Sequence, residues 1–146
     1  MPCTILMTVV RESLEGDIGD DWTYTVGATV LNPTVVGTGD ISVEEHTLSP
    51  GTTQEPPQPT RSLSLPAGPC GKQARVQLKL VAREVDALVD DTGDSSTSVS
   101  LTCPAADGPP IYVEQDIAVK VYEEPRVLGG EATLTVSVQL VASCGS

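Results

Sequence analysis

Trp22-Thr23-Tyr24-Thr25-Val26-Gly27-Ala28-Thr29-Val30 alternates without a break. Trp22, Tyr24, Val26, Ala28 and Val30 point one way, and Thr23, Thr25, Gly27 and Thr29 the other. Period-two alternation marks a strand with one buried face and one wet face. The rhythm recurs outward from this stretch. Leu134, Val136, Val138 and Leu140 alternate with Thr133, Thr135, Ser137 and Gln139, and Ile117, Val119 and Val121 with Ala118, Lys120 and Tyr122. Val99 and Leu101 alternate with Ser98, Ser100 and Thr102, while Thr4–Val10 is apolar on both faces. Residues 74–83 read as a strand. Leu78, Val81, Ala82, Val85, Leu88 and Val89 also fit a helical stripe, so a helical turn beyond that strand is the alternative.

Composition points the same way. With no Phe, one Trp and three Tyr, the core must be filled by Val, Leu, Ile and Ala, and Val with abundant Thr favours pleated strands. Twelve Pro and 13 Gly punctuate the chain into short elements. The expectation is one domain spanning residues 1–146. Its fold class is all-β, a two-sheet antiparallel sandwich of about 7–9 strands. Residues 48–71, with Glu55-Pro56-Pro57-Gln58-Pro59, read as a Pro-rich crossover, and Leu63 and Leu65 suggest a short strand within it. Ile5–Arg11, Val76–Arg83 and Ile117–Tyr122 each end at a glutamate (Glu12, Glu84, Glu123) and enter a loop bearing Gly or Asp. Three hairpin-like units with loops at one end of the sandwich are predicted.

The net charge of −12, from 20 acidic and 8 basic residues, counts against nucleic acid, whose phosphates need Lys and Arg. It also counts against anionic membrane surfaces, and no stretch approaches the ~20 apolar residues of a membrane span. Met1-Pro2-Cys3 followed by Arg11-Glu12 lacks the pattern of a signal peptide. An extracellular, virion-surface or cell-surface location then implies another route of release or prior removal of the signal, and a cytoplasmic one stays open.

Five carboxylates fall in residues 12–21 and five in 84–94, half of the chain's 20. Like charges so close together call for neutralisation, and Ca²⁺ supplies it by taking six to eight oxygen ligands. These loops resemble those of C2-like calcium-binding sandwiches, where aspartates from separated loops meet at one tip. The resemblance implies Ca²⁺ bound by Asp17, Asp20 and Asp21 from one loop and Asp86, Asp90, Asp91 and Asp94 from the other. The second loop lacks an Asp-x-Asp pair and the tip is neither basic nor apolar, so the resemblance does not extend to lipid docking. Solvated turns are the plain alternative, because turns use Asp and Gly anyway.

Cys3 opens the first strand and Cys144 ends the last, while Cys70 precedes the 74–83 strand and Cys103 ends the 97–103 strand. All four are expected opposite the acidic loops, bridged Cys3–Cys144 and Cys70–Cys103, or else kept as buried thiols in a reducing compartment. No two have CxxC spacing, so zinc is not indicated. Nor does enzyme chemistry stand out. His46 is the only imidazole, read as a surface residue, and no nucleophile elbow, phosphate loop or dinucleotide fingerprint appears. The chain reads as a non-enzymatic, Ca²⁺-stabilised binding or adhesion module. The alternative is a structural subunit of a larger assembly, such as a virion decoration protein or surface filament. Either one works through protein partners or self-assembly.

Overall fold

The computed structural model describes residues 2–16, 18–57, 62–85, 91–123 and 130–145. Among the described residues nine strands run in order: β1 (Pro2–Gly16), β2 (Asp21–Leu31), β3 (Val35–Thr47), β4 (Thr53–Gln54), β5 (Ser62–Pro69), β6 (Gln73–Glu84), β7 (Asp91–Thr102), β8 (Ile111–Tyr122) and β9 (Glu131–Cys144). They form two antiparallel sheets. One is ordered β4-β1-β9-β8, with β5 paired to the first half of β1; the other is β3-β2-β6-β7. The all-β sandwich read from alternation is the observed fold. Residues 73–84 are a strand throughout, and the last part of the helical alternative, 86–90, lies outside the described residues.

The inward faces hold the expected aliphatic residues. Val26, Val30, Val76, Leu80, Leu134, Val136, Val138 and Leu140 are wholly buried, and among the described residues the buried Trp and Tyr rings are Trp22 and Tyr24. Burying such a side chain contributes roughly 1.5–3 kcal/mol, so an aliphatic core suffices without Phe.

One detail of the predicted layout changes. The first unit is not a hairpin: β1 and β2 lie in different sheets, and the turn between them crosses the sandwich. The β6–β7 and β8–β9 units are hairpins, with register pairs Glu84↔Asp91 and Tyr122↔Glu131. The 48–71 segment crosses as expected, from β3 in one sheet to β4 and β5 in the other, then back to β6. Pro66 and Pro69 sit on β5, an outer strand where a missing N–H is harmless.

Glycines let the sheets close on each other at both margins. A Cβ on Gly37 of β3 would come within 2.5 Å of the Pro66 carbonyl of β5, and one on Gly93 of β7 equally close to the Lys120 carbonyl of β8. Only a residue without a side chain permits those approaches.

The four cysteines gather at the end that holds both termini, but they pair as Cys3–Cys103 and Cys70–Cys144, with Cα separations of 6.1 and 5.8 Å. The pairing read from sequence, Cys3–Cys144 and Cys70–Cys103, is therefore corrected. The register explains why. In the β6–β7 ladder Gln73 faces Thr102, so Cys103 lies beside Lys72, whose carbonyl accepts its N–H, and Cys70 falls beyond it. Cys3 and Cys144 are register partners on adjacent strands. Each instead reaches a cysteine outside its own sheet: Cys103 after β7, and Cys70 in the β5–β6 turn. Cys3–Cys103 thus ties layer to layer, and Cys70–Cys144 ties β9 to the turn through which the chain passes from one layer to the other. Two disulfides belong to a non-reducing environment.

Non-reducing peptide mapping should recover Cys3 joined to Cys103 and Cys70 to Cys144; a Cys3–Cys144 peptide would contradict the layered arrangement. The bridges span sequence separations of 100 and 74. In the chain-entropy model their stabilisation differs by only about 0.3 kcal/mol, so Cys→Ser removal of either pair should lower stability by a similar ~2–5 kcal/mol in denaturant titration. Gly37→Ala should cost about 1–3 kcal/mol in the same assay, through overpacking against the β5 backbone.

Candidate functional site

Two bulges decide what lies at the other end. On β1, Cys3, Ile5, Met7 and Val9 face inward. The register then shifts by one residue between Val9 and Arg11, and Glu12 and Leu14 become the inward pair. On β3, Ile41 and Val43 face inward, and the register then shifts by one residue between Val43, opposite Tyr24, and His46, opposite Trp22. Glu44 and Glu45 are both exposed, and His46 turns toward the interior. A bulge adds one residue to one strand, and a one-residue slip exchanges the faces.

The two redirected side chains meet. Glu12 is wholly buried, and its Oε2 lies 2.5 Å from His46 Nε2. Tyr24 donates its hydroxyl to Glu12 Oε1 at 2.6 Å, and Gln54 Nε2 donates to Oε2 at 2.8 Å and to the Thr47 carbonyl at 3.2 Å. The Tyr24 and His46 rings meet edge to face, with centroids 6.2 Å apart. One carboxylate on β1 thus holds groups from β2, β3 and β4, across both sheets. His46 Nδ1 faces the Glu44 carbonyl at 2.7 Å. Both ring nitrogens therefore lie against protein oxygens. His46, read from sequence as a surface residue, has a side chain only 12% exposed. The alternation of Ile41-Ser42-Val43-Glu44, if continued, would put Glu45 inside and His46 outside, and the bulge reverses this.

The β1–β2 turn lies at this end, beside the ends of β3 and β6. Asp20 accepts the Leu48 N–H at its carbonyl, and Asp21 accepts the Val85 N–H, which holds the β1–β2 turn against the chain after β3 and after β6. Asp20 and Asp21 are exposed side by side. Asp91 is buried at the start of β7, opposite the buried Glu84 in the hairpin register. Glu84 packs beneath Gly19, whose positive φ of 149° suits a residue without a side chain. Asp94 lies further along β7 on the outer face, 4.0 Å from Lys79 Nζ, away from the tip. Asp17, Asp86 and Asp90 lie outside the described residues. Among the described residues no group of three or more His, Cys, Asp and Glu side chains is arranged to hold a metal. Nor is any described helix long and apolar enough to cross a membrane. The sequence reading placed Glu12 and Glu84 in acidic loops; their burial had no signal in composition.

Comparison with family models, curated proteins and solved structures returned no match.

Burial, then the hydrogen bond to Glu12 and its charge, hold the Tyr24 hydroxyl far above the ordinary value of 10.0. A raised value keeps the phenol neutral in the folded state while the unfolded chain ionises. Its contribution to stability is complete below about pH 10 and is lost as pH rises beyond it, by up to ~1.4 kcal/mol per pH unit. Urea midpoints measured from pH 8 to 11 should fall along that limb, and Tyr24→Phe should flatten it. At neutral pH the same substitution should cost about 1.5–3 kcal/mol, the range for a hydrogen bond to a charged group.

Proposed function

We propose that the chain is a non-enzymatic binding or adhesion module, a disulfide-stapled sandwich steadied by Ca²⁺ at its acidic end and working outside the reducing cytoplasm. The observation that carries this reading is the Val85 N–H to Asp21 carbonyl bond at 2.8 Å, which holds the β1–β2 turn against the end of β6. It sets Asp20 and Asp21 beside the strand ends that carry Glu84 and Asp91. Hard oxygen donors from two turns are what Ca²⁺ takes, and its charge would offset the crowding of carboxylates. The engagement of both His46 nitrogens with protein oxygens supports a non-catalytic role, since a general base needs a nitrogen facing its substrate. Two disulfides support an extracellular, virion or cell-surface setting.

A second reading, a structural subunit of a larger assembly, draws on a different feature. Leu6, Val141 and Tyr112 form one register row across β1, β9 and β8, and Leu6 and Tyr112 are 43% and 66% exposed. Native mass spectrometry separates the two: a monomer that takes up calcium fits the module, and a high-order complex fits the subunit.

Millimolar Ca²⁺ should raise the melting temperature and EDTA should lower it, with ~2.7 kcal/mol added at 100 times the Kd. Asp20→Asn should shrink that response while Glu55→Gln leaves it intact, as read by differential scanning calorimetry. Superimposable traces with and without calcium would remove the cation from the proposal.

A further inference from the structure

The outer face of the β3-β2-β6-β7 sheet carries a trough of about 650 Å³. Its floor is Gly27, at the middle of β2, a strand paired on both sides. In the register row through Gly27, Asp40 of β3 stands on one side and Lys79 of β6 on the other. One step along the sheet, Thr29 of β2 lies beside Gln77 of β6, with Ser98 of β7 beyond it. All six residues line the trough.

Nothing in the fold requires glycine at position 27. It is absent from the residues with positive φ. Among the described residues outside its chain neighbours, a Cβ there would approach only the Lys79 carbonyl, at 3.9 Å, an ordinary contact. Gly37 and Gly93 differ, because both are forced by a neighbouring backbone. A glycine inside a strand gives up roughly 0.5–1 kcal/mol relative to alanine. Where it persists without a conformational cause, it marks a close approach by something else. No other described residue makes that approach, and the missing side chain opens the trough to solvent.

We propose that this trough binds a neutral oligosaccharide, which names the ligand class of the binding module and rests on that reading. The walls supply both senses of hydrogen bond. The Asp40 carboxylate accepts from neighbouring sugar hydroxyls, the Lys79 ammonium and Gln77 amide donate, and the Thr29 and Ser98 hydroxyls do either. Asp40 and Lys79 stand two strand spacings apart, about 10 Å. That leaves width for one sugar ring with a hydrogen bond of ~2.8 Å at each edge. The C–H face of the ring rests on the bare backbone of Gly27, where a side chain would lift it away. Asp40 faces two cations that line the trough, Lys79 and Arg75, and Asp94 lies 4.0 Å from Lys79, so charges of both signs stand around it in equal number and favour neither sign of ligand; the net charge of −12 opposes polyanions further. A peptide strand has little to pair with, because the N–H and C=O groups of β2 are taken up by the ladders to β3 and β6.

The test is a ¹H–¹⁵N NMR titration of the intact, oxidised chain with millimolar maltotriose, cellotriose and triacetylchitotriose, with and without calcium. A trigalacturonate arm is run alongside. At least one neutral sugar should shift the amides of Gly27, Lys79 and Ser98 in a saturable way. Gly27→Val, whose side chain points outward from a strand and fills the floor, should keep the melting temperature and weaken binding about tenfold or more. Asp40→Asn should weaken it by a similar factor. Shifts from none of the neutral sugars, shifts from trigalacturonate alone, or undiminished binding by Gly27→Val would each overturn the proposal. Calcium dependence of melting is a separate readout, so failure of the cation reading and failure of the trough are distinguishable.

Discussion

The Glu12 carboxylate is the point on which the two sheets agree. It is wholly buried, and it is held by Tyr24, His46 and Gln54 from β2, β3 and β4. A buried carboxylate left without partners costs far more than a satisfied one returns. The strands that supply those partners are therefore fixed in register relative to β1. Slide β3 by one residue and His46 leaves the interior while a glutamate enters. The network specifies one alignment of the layers, where an aliphatic core alone would tolerate several.

The opposite end is secured by covalent means. Cys3–Cys103 and Cys70–Cys144 join β1 and β9 to the segments that flank β6 and β7. Between the two ends, the margins are closed by glycines that let β3 meet β5 and β7 meet β8. Hydrogen bonding at one end, disulfides at the other and close backbone contact along the sides limit every sliding or splaying motion of the sheets. The surfaces left free for function are the outer faces and the acidic turns, and these are where the unexplained features lie: the bare Gly27, the Leu6–Val141–Tyr112 row, and the paired Asp20 and Asp21.

The alternating runs were legible because period-two burial is a local property: each residue's face follows from its neighbour's. Trp22–Val30 and Leu134–Leu140 therefore lie where the alternation puts them, with their apolar members buried. The aliphatic core, the placing of Glu84 beside the β1–β2 turn and the gathering of the cysteines at one end follow from the same rhythm, since successive strands return the chain to the same two ends.

Three things were decided only by the tertiary structure. The bulges in β1 and β3 insert one residue each, and nothing in Val9-Val10-Arg11 or Glu44-Glu45 announces which residue will be extra. They turned Glu12 and His46 inward, against the alternation that precedes them. The disulfide partners depend on which strands face one another across the interior, a distance set by packing and not by spacing along the chain. Gly27 reads in sequence as one more residue on a wet face; its meaning comes from Asp40 and Lys79 standing on either side of it, which strand pairing alone brings about. Local periodicity determined the elements, and long-range register determined what those elements hold between them.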